Sequence, residues 1–133
     1  MKKFLIVMMI AAVVSACSSR QAIRGEFEFS VKKYNDMIRW HDMSSAVSFA
    51  ADSLGEEFMA RVKAAKDVQV VEYRILKTKY NEAQGEAEVL VEIDYYRLSS
   101  NRLMTLVDVQ KWAYIFEGGE KHWKLVSLLP EFP

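Results

Sequence analysis

Cysteine occurs once in this chain of 133 residues, proline twice and glycine five times. A single thiol excludes an internal disulfide and any zinc site that needs two or more thiolates. The glycines sit at turns, so no glycine-rich phosphate loop is present, and no serine stands in a nucleophile elbow. The two histidines, His41 and His122, are far from metal-ligand spacing. No metal and no cofactor is therefore expected. Charge of one sign is lacking as well: 18 basic residues meet 18 acidic ones. Without the first sixteen residues, which carry Lys2 and Lys3, 16 basic residues face 18 acidic ones. That withholds the basic footprint of a nucleic-acid binder, and no nucleic-acid partner is expected. Of the seven methionines, three lie in the first sixteen residues and the other four are scattered, which reads as core filling rather than a copper site.

The one cysteine sits at a boundary. Lys2 and Lys3 precede an apolar run of eleven residues, Phe4 to Val14, and the polar stretch "SSRQAIRGE" follows Cys17. A run of that length is short of the roughly 20 residues that span a bilayer, but it has the layout of an exported leader. The alternative is a buried N-terminal helix with Cys17 as a small core residue. Val14-Ser15-Ala16-Cys17 resembles the lipobox of bacterial lipoprotein precursors. The resemblance implies cleavage before Cys17 and attachment of diacylglycerol to its sulfur. Residues 1–16 are then a signal peptide, 17–26 a lipidated tether and 27–133 a single domain. Two or three acyl chains make such an anchor persistent, at about 0.8 kcal/mol per buried methylene. The partner implied is the lipid bilayer, and the location is the cell envelope facing the periplasm. Ser18 in place of Asp favours the outer membrane if the organism has one.

From Phe27 the spacing Phe27, Val31, Tyr34, Ile38, His41 lays one stripe along a helix expected over about Arg24 to Trp40. In "HDMSS", Asp42 and Ser44 offer caps for a second helix with Val47, Ala50, Ala51 and Leu54 on its inner side. Gly55 interrupts it, and a third helical stretch carries Phe58, Met59 and Val62 inward. The register changes at Val68. "VQVVEYRILKTKY" is β-branched and aromatic, and in "GEAEVLVEIDYYRL" Ala87, Val89, Val91, Ile93 and Tyr95 alternate with acidic residues. A turn in "NEAQG" centred on Ala83 pairs Tyr73 with Ile93, Arg74 with Glu92 and Ile75 with Val91.

A third strand starts near Leu103, with Thr105, Val107 and Val109 as its early inward residues, opposite Tyr95, Ile93 and Val91. Trp112, Tyr114 and Phe116 have the opposite parity, and the "EGGE" turn pairs Tyr114 with Trp123 and Trp112 with Leu125. A β-bulge near Gln110 and Lys111 would bring both sets to the core and bend the strand. Without it, the sheet would be apolar on both faces and would need a partner to cover one of them. The expected fold class is α+β: two to three N-terminal helices packed on a curved, cone-like, four-stranded antiparallel sheet.

"VQKWAYIFEGGEKHWKLVSLLPEFP" resembles the closing hairpin of nuclear transport factor 2-like, or cystatin-like, domains. That family contains cone-shaped dehydratases and isomerases as well as non-catalytic binding modules, so the function must come from this chain's own residues. An extra strand pair that walls the family's pocket is not evident here. His41 closes the first helical stripe, as a general base facing a cavity or as a cap of the helix C-terminus. Asp94 is the other acid/base candidate, although its parity puts it on the polar face with Glu88 and Glu92. Asp108 is expected on that same face, near Glu92. His122 falls in an exposed hairpin. Tyr34, Tyr73, Tyr95, Trp112 and Trp123 are candidate ligand-binding residues, equally explained as core. The favoured function is a non-catalytic binding or scaffold module for an envelope protein partner or apolar ligand, marked by an exposed apolar patch around Trp40, Trp112 and Trp123. The alternatives are a small cone-fold lyase or isomerase using His41 or Asp94, which needs an enclosed pocket, and a structural accessory subunit of an envelope complex.

Overall fold

A computed structural model of the chain describes the backbone of residues 2–133 and the side chains of residues 19–133. Among the described residues it holds α1 (Lys2–Arg39), α2 (Met43–Ala46) and α3 (Gly55–Ala64), then β1 (Val68–Asn81), β2 (Glu86–Arg97), β3 (Met104–Glu117) and β4 (Glu120–Leu125). The strands form one open sheet in the order β1-β2-β3-β4, each antiparallel to the next. This is the expected α+β meander. The chain divides into two compact units, Met1–Lys32 and Lys33–Pro133. The first is helical and includes an Arg24–Glu28 ion pair one turn apart at 3.6 Å. α1 starts well before Arg24 because the polar stretch after Cys17 contains no proline, and its single Gly25 costs a helix only about 1 kcal/mol. Residues 1–16, expected to be a leader, and Cys17 itself lie outside the residues whose side chains are described.

Phe27, Val31, Tyr34 and Ile38 of the helical stripe are buried. α1 ends at Arg39, and two residues on, the exposed His41 is in the left-handed region (φ 65°), the conformation that closes many helices. The second helix is shorter than its spacing suggests. α2 is followed by two 3₁₀ turns, Val47–Phe49 and Asp52–Leu54, separated by extended backbone at Ala50 and Ala51. That break has a tertiary cause: Ala50 bridges Leu125, and the Ala51 N–H donates to the Leu125 carbonyl at 2.9 Å. Asp42 makes no side-chain cap. Gly55 begins α3 rather than ending a helix, and of the expected inner trio Phe58 is buried while Met59 is exposed.

In the sheet, Tyr73 meets Ile93, Arg74 meets Glu92 and Ile75 meets Val91, as the turn predicts. Register shifts on either side of this stretch leave Val71 and Leu76 as extra residues in β1. The expectation for β3 is overturned. The strand has no bulge: Val91 faces Asp108, Ile93 faces Leu106 and Tyr95 faces Met104. Even-numbered residues from Leu106 to Tyr114 therefore lie on the inner side of β3, Met104 and Phe116 at its two ends are exposed, and Thr105, Val107 and Val109 lie on the outer face. The aromatics set the phase. A tryptophan removes up to ~250 Å² from water, about 6 kcal/mol at ~25 cal/mol/Å², and Trp112 and Trp123 are both buried. Val107 and Val109, about half exposed where they are, forgo only about half of their ~1.5–3 kcal/mol each. The β3–β4 turn has positive φ at both central residues, Gly118 (64°) and Gly119 (86°), which a two-residue hairpin with matched twist requires. It pairs Tyr114 with Trp123 and Trp112 with Leu125, as expected.

Around Tyr34 the core is aromatic. Its ring meets Trp112 edge-on at 5.7 Å, and Phe49 and Phe58 at 6.3 Å each. The C-terminal segment closes the other end: Tyr95 donates to the Pro133 carbonyl at 2.9 Å and stacks edge-on with Phe132 at 5.0 Å. Arg61 donates to the Leu129 carbonyl at 3.1 Å, and Arg97 joins Asp67 to the Phe132 carbonyl.

Candidate functional site

Unbroken parity in β3 carries two polar side chains into the core. Asp108 and Gln110 stand between apolar positions, and the last turns of α1 supply their partner, Asn35. Gln110 Nε2 donates to Asn35 Oδ1 at 2.8 Å and to Asp108 Oδ2 at 3.1 Å, while Asn35 Nδ2 donates back to Gln110 Oε1 at 3.2 Å. The indole N–H of Trp112 reaches the same Gln110 oxygen at 3.4 Å. A buried amide pair with reciprocal bonds satisfies itself. The carboxylate is different, because desolvation disfavours its charge more than one amide bond restores it. Burial pushes the Asp108 carboxyl up to about 6, against the opposing hydrogen bond from Gln110. The Tyr34 hydroxyl, fully buried, finds no hydrogen-bond partner among the described residues. Its pKa is raised by burial and then by the negative charge of Asp108.

Asp108 is thus a correction to the sequence reading, which put it on the solvated face against Glu92. Glu92 faces Val107 instead. The signal that finds it is the parity of Trp112 carried back along β3 without interruption.

The acid/base candidates occupy unlike places. Asp94 is on the outer face, where Arg74 Nη1 and Nη2 donate to its two oxygens at 2.9 and 3.0 Å and the Thr105 hydroxyl donates at 2.7 Å. Arg74 also donates to Glu92 from Nη2 at 2.6 Å and from Nε at 3.0 Å. Those bonds, from Arg74 first and then Thr105, hold the Asp94 carboxyl below the usual range, and they hold the guanidinium charged. A carboxylate so engaged is a poor proton acceptor. His41 lines an open groove of about 510 Å³ with Met43, Met59, Val62, Lys63 and Lys66. A second groove of about 400 Å³ runs past Lys79, Glu88, Lys111, Trp112 and Val126. Neither is lined by Asp94, Asp108 or Tyr34; of the acid/base candidates, His41 lines one of these two grooves.

The candidate ligand-binding aromatics lie mostly in the core, and Trp112 also lines the second groove. Tyr34, Tyr95, Trp112 and Trp123 are almost wholly buried. Tyr73 donates to Asp36 Oδ1 at 2.6 Å, and burial followed by that bond raises its hydroxyl to about 12. The expected apolar patch around Trp40, Trp112 and Trp123 is therefore not there: Trp40 alone is exposed, with Arg39 over its ring at 4.6 Å. Trp112 and Trp123 turn inward for the reason that sets the phase of β3. Exposed apolar side chains gather instead along the first half of β3 and the turn before it, at Leu98, Leu103, Val107 and Val109. His122 is exposed and contacts Glu120 at 3.1 Å.

Among the described residues no cluster of His, Cys, Asp or Glu has the arrangement of a metal site, and no helix is long and apolar enough to cross a membrane. No protein-family model, no curated protein and no solved structure matches the chain.

Proposed function

We propose that the protein is an envelope lipoprotein, held to the bilayer through acylated Cys17 and facing the periplasm, whose domain of nuclear transport factor 2-like or cystatin-like type is a non-catalytic binding or scaffold module. Its ligand is a protein partner or an apolar molecule. Ser18 favours the outer membrane as its site. The observation that carries the non-catalytic half is the disposition of its acids and bases: Asp94 is bound on both oxygens by Arg74, and His41 lies in an open groove without a second titratable acid. Exposed apolar residues on β3 supply a binding surface in their place.

One observation favours a lyase or isomerase instead, namely a buried core carboxyl, pushed up to about 6 by desolvation, whose charge acts on the buried Tyr34 hydroxyl. In that reading the acid is Asp108 rather than His41 or Asp94, and neither of the two grooves is lined by it.

Two measurements test the proposal. Cys17→Ser moves the protein from the membrane fraction to the soluble fraction; unchanged membrane association contradicts the anchor. Affinity purification from native envelopes returns a stoichiometric protein or apolar ligand. A preparation that turns over a substrate and binds nothing stably contradicts the module.

A further inference from the structure

The ladder between β3 and β4 ends at the pair Trp112 and Leu125. Beyond it, at Lys111, the carbonyl accepts from the Val126 N–H at 2.7 Å and the N–H donates to Ser127 Oγ at 3.1 Å. Lys111 therefore turns its backbone groups away from β2, and by the alternation of an antiparallel strand so do Val109, Val107 and Thr105. No backbone group of β4 or of the C-terminal segment bonds to these three. Among the described residues they form a free edge without bulge, proline or lysine, and Val107 and Val109 on it are 51% and 45% exposed.

The opposite edge of the sheet differs. β1 is bulged at Val71 and Leu76 and carries Lys77 and Lys79, the devices by which proteins blunt an edge against pairing. One edge is protected and the other is open.

We propose that the free edge of β3 pairs with the same edge of a second copy of this chain, antiparallel about a two-fold axis through Val107. This deepens the binding-module reading by naming the occupant. The register follows from parity, since residues that turn their backbone outward must face residues that do the same. Centring the axis on Asp108 would oppose two core carboxyls and would call on Lys111, whose backbone is already engaged. Centring it on Leu106 would leave Val109 beyond the partner strand. Centring it on Val107 engages all three free residues in hydrogen-bonded pairs: Val107 with Val107, and Thr105 with Val109 twice. The outer face then matches β-branched side chains with one another and opposes no like charges, the combination that stabilises cross-strand pairs. A self-complementary patch of this kind is what a two-fold interface requires.

Cysteine cross-linking tests the register. In the full-length chain carrying Cys17→Ser and purified in detergent, the sole introduced thiol of Val107→Cys meets its symmetry mate. Cα atoms of such a pair stand about 5.5 Å apart, within disulfide range. Mild oxidation is expected to convert most of the Val107→Cys protein to a disulfide dimer, while Lys121→Cys at the distant β3–β4 turn stays monomeric. In the otherwise unaltered chain, Val107→Lys places two ammonium groups across the axis and is expected to halve the sedimenting protein mass with an unchanged far-ultraviolet spectrum. A Val107→Cys protein that stays monomeric, or that dimerises no faster than Lys121→Cys, overturns the proposal. Cross-linking of Val107→Cys to a different envelope protein also overturns self-pairing, and it leaves the binding-module reading standing.

Discussion

At the scale of single residues, Asp108 concentrates the physical tension in the fold. An unfolded aspartate titrates near about 3.9, whereas burial raises this one to about 6 in the folded chain. Between those values the native state holds a proton that the unfolded state has released. The contribution of Asp108 to folding is thus fully present below about pH 4 and lost as the pH rises through about 6. Asp94 has the opposite sign: its carboxyl is depressed by Arg74 and Thr105, so its contribution is present above the unfolded pKa and lost as the pH falls through the depressed value. The two effects separate in a variant. Asp108→Asn keeps an acceptor near Gln110 Nε2 and removes the buried charge. It is expected to stabilise the domain at pH 7.5 by up to about 3 kcal/mol, the equivalent of roughly two pKa units, with little change at pH 4. Urea denaturation at both pH values measures this, and equal effects at the two would contradict the assignment.

At the scale of elements, β3 decides which face of the sheet is inside. Trp112 is the anchor, meeting Tyr34 from α1 and pairing with Leu125 of β4. Trp112→Ala is expected to destabilise the domain by about 3–5 kcal/mol, the cost of deleting a large buried aromatic, and urea midpoints report it; a loss under 1 kcal/mol would mean that another residue sets the phase. The same strand shows where sequence reasoning reaches and where it stops. β2 was legible because apolar and acidic residues alternate from Ala87 to Tyr95 with only Leu90 out of pattern, and both hairpins were legible because Asn81 with Gly85, and Gly118 with Gly119, mark their turns. β3 was not, because its apolar residues change parity midway. Periodicity treats valine and tryptophan alike, and it has no means of knowing that Asn35, 75 residues away, waits to satisfy Gln110. The one bulge expected, near Gln110 and Lys111, is absent for the same reason, and the register shifts fall instead at Val71 and Leu76 of β1, where the sequence looks continuous. Of the candidate site, the roles of Tyr34, Tyr95, Trp112 and Trp123 as core followed from inward parity, but the buried carboxylate at Asp108 did not.

At the scale of the whole molecule, the chain combines a proposed lipid anchor with a small α+β domain whose open β3 edge is suited to contact another chain. Anchoring would help such contact. Chains confined to one surface meet at a raised effective concentration, so pairing over a few residues of edge becomes effective without strong affinity in solution. Anchor and domain are separable claims, and the anchor governs where the domain acts. The measurement that tests it most directly is the intact mass of the protein isolated from native membranes, with fragmentation of its N-terminal peptide. The account predicts a chain that begins at Cys17 and carries a diacylglyceryl group on the sulfur; a chain that retains residues 1–16 with an unmodified thiol at Cys17 contradicts it.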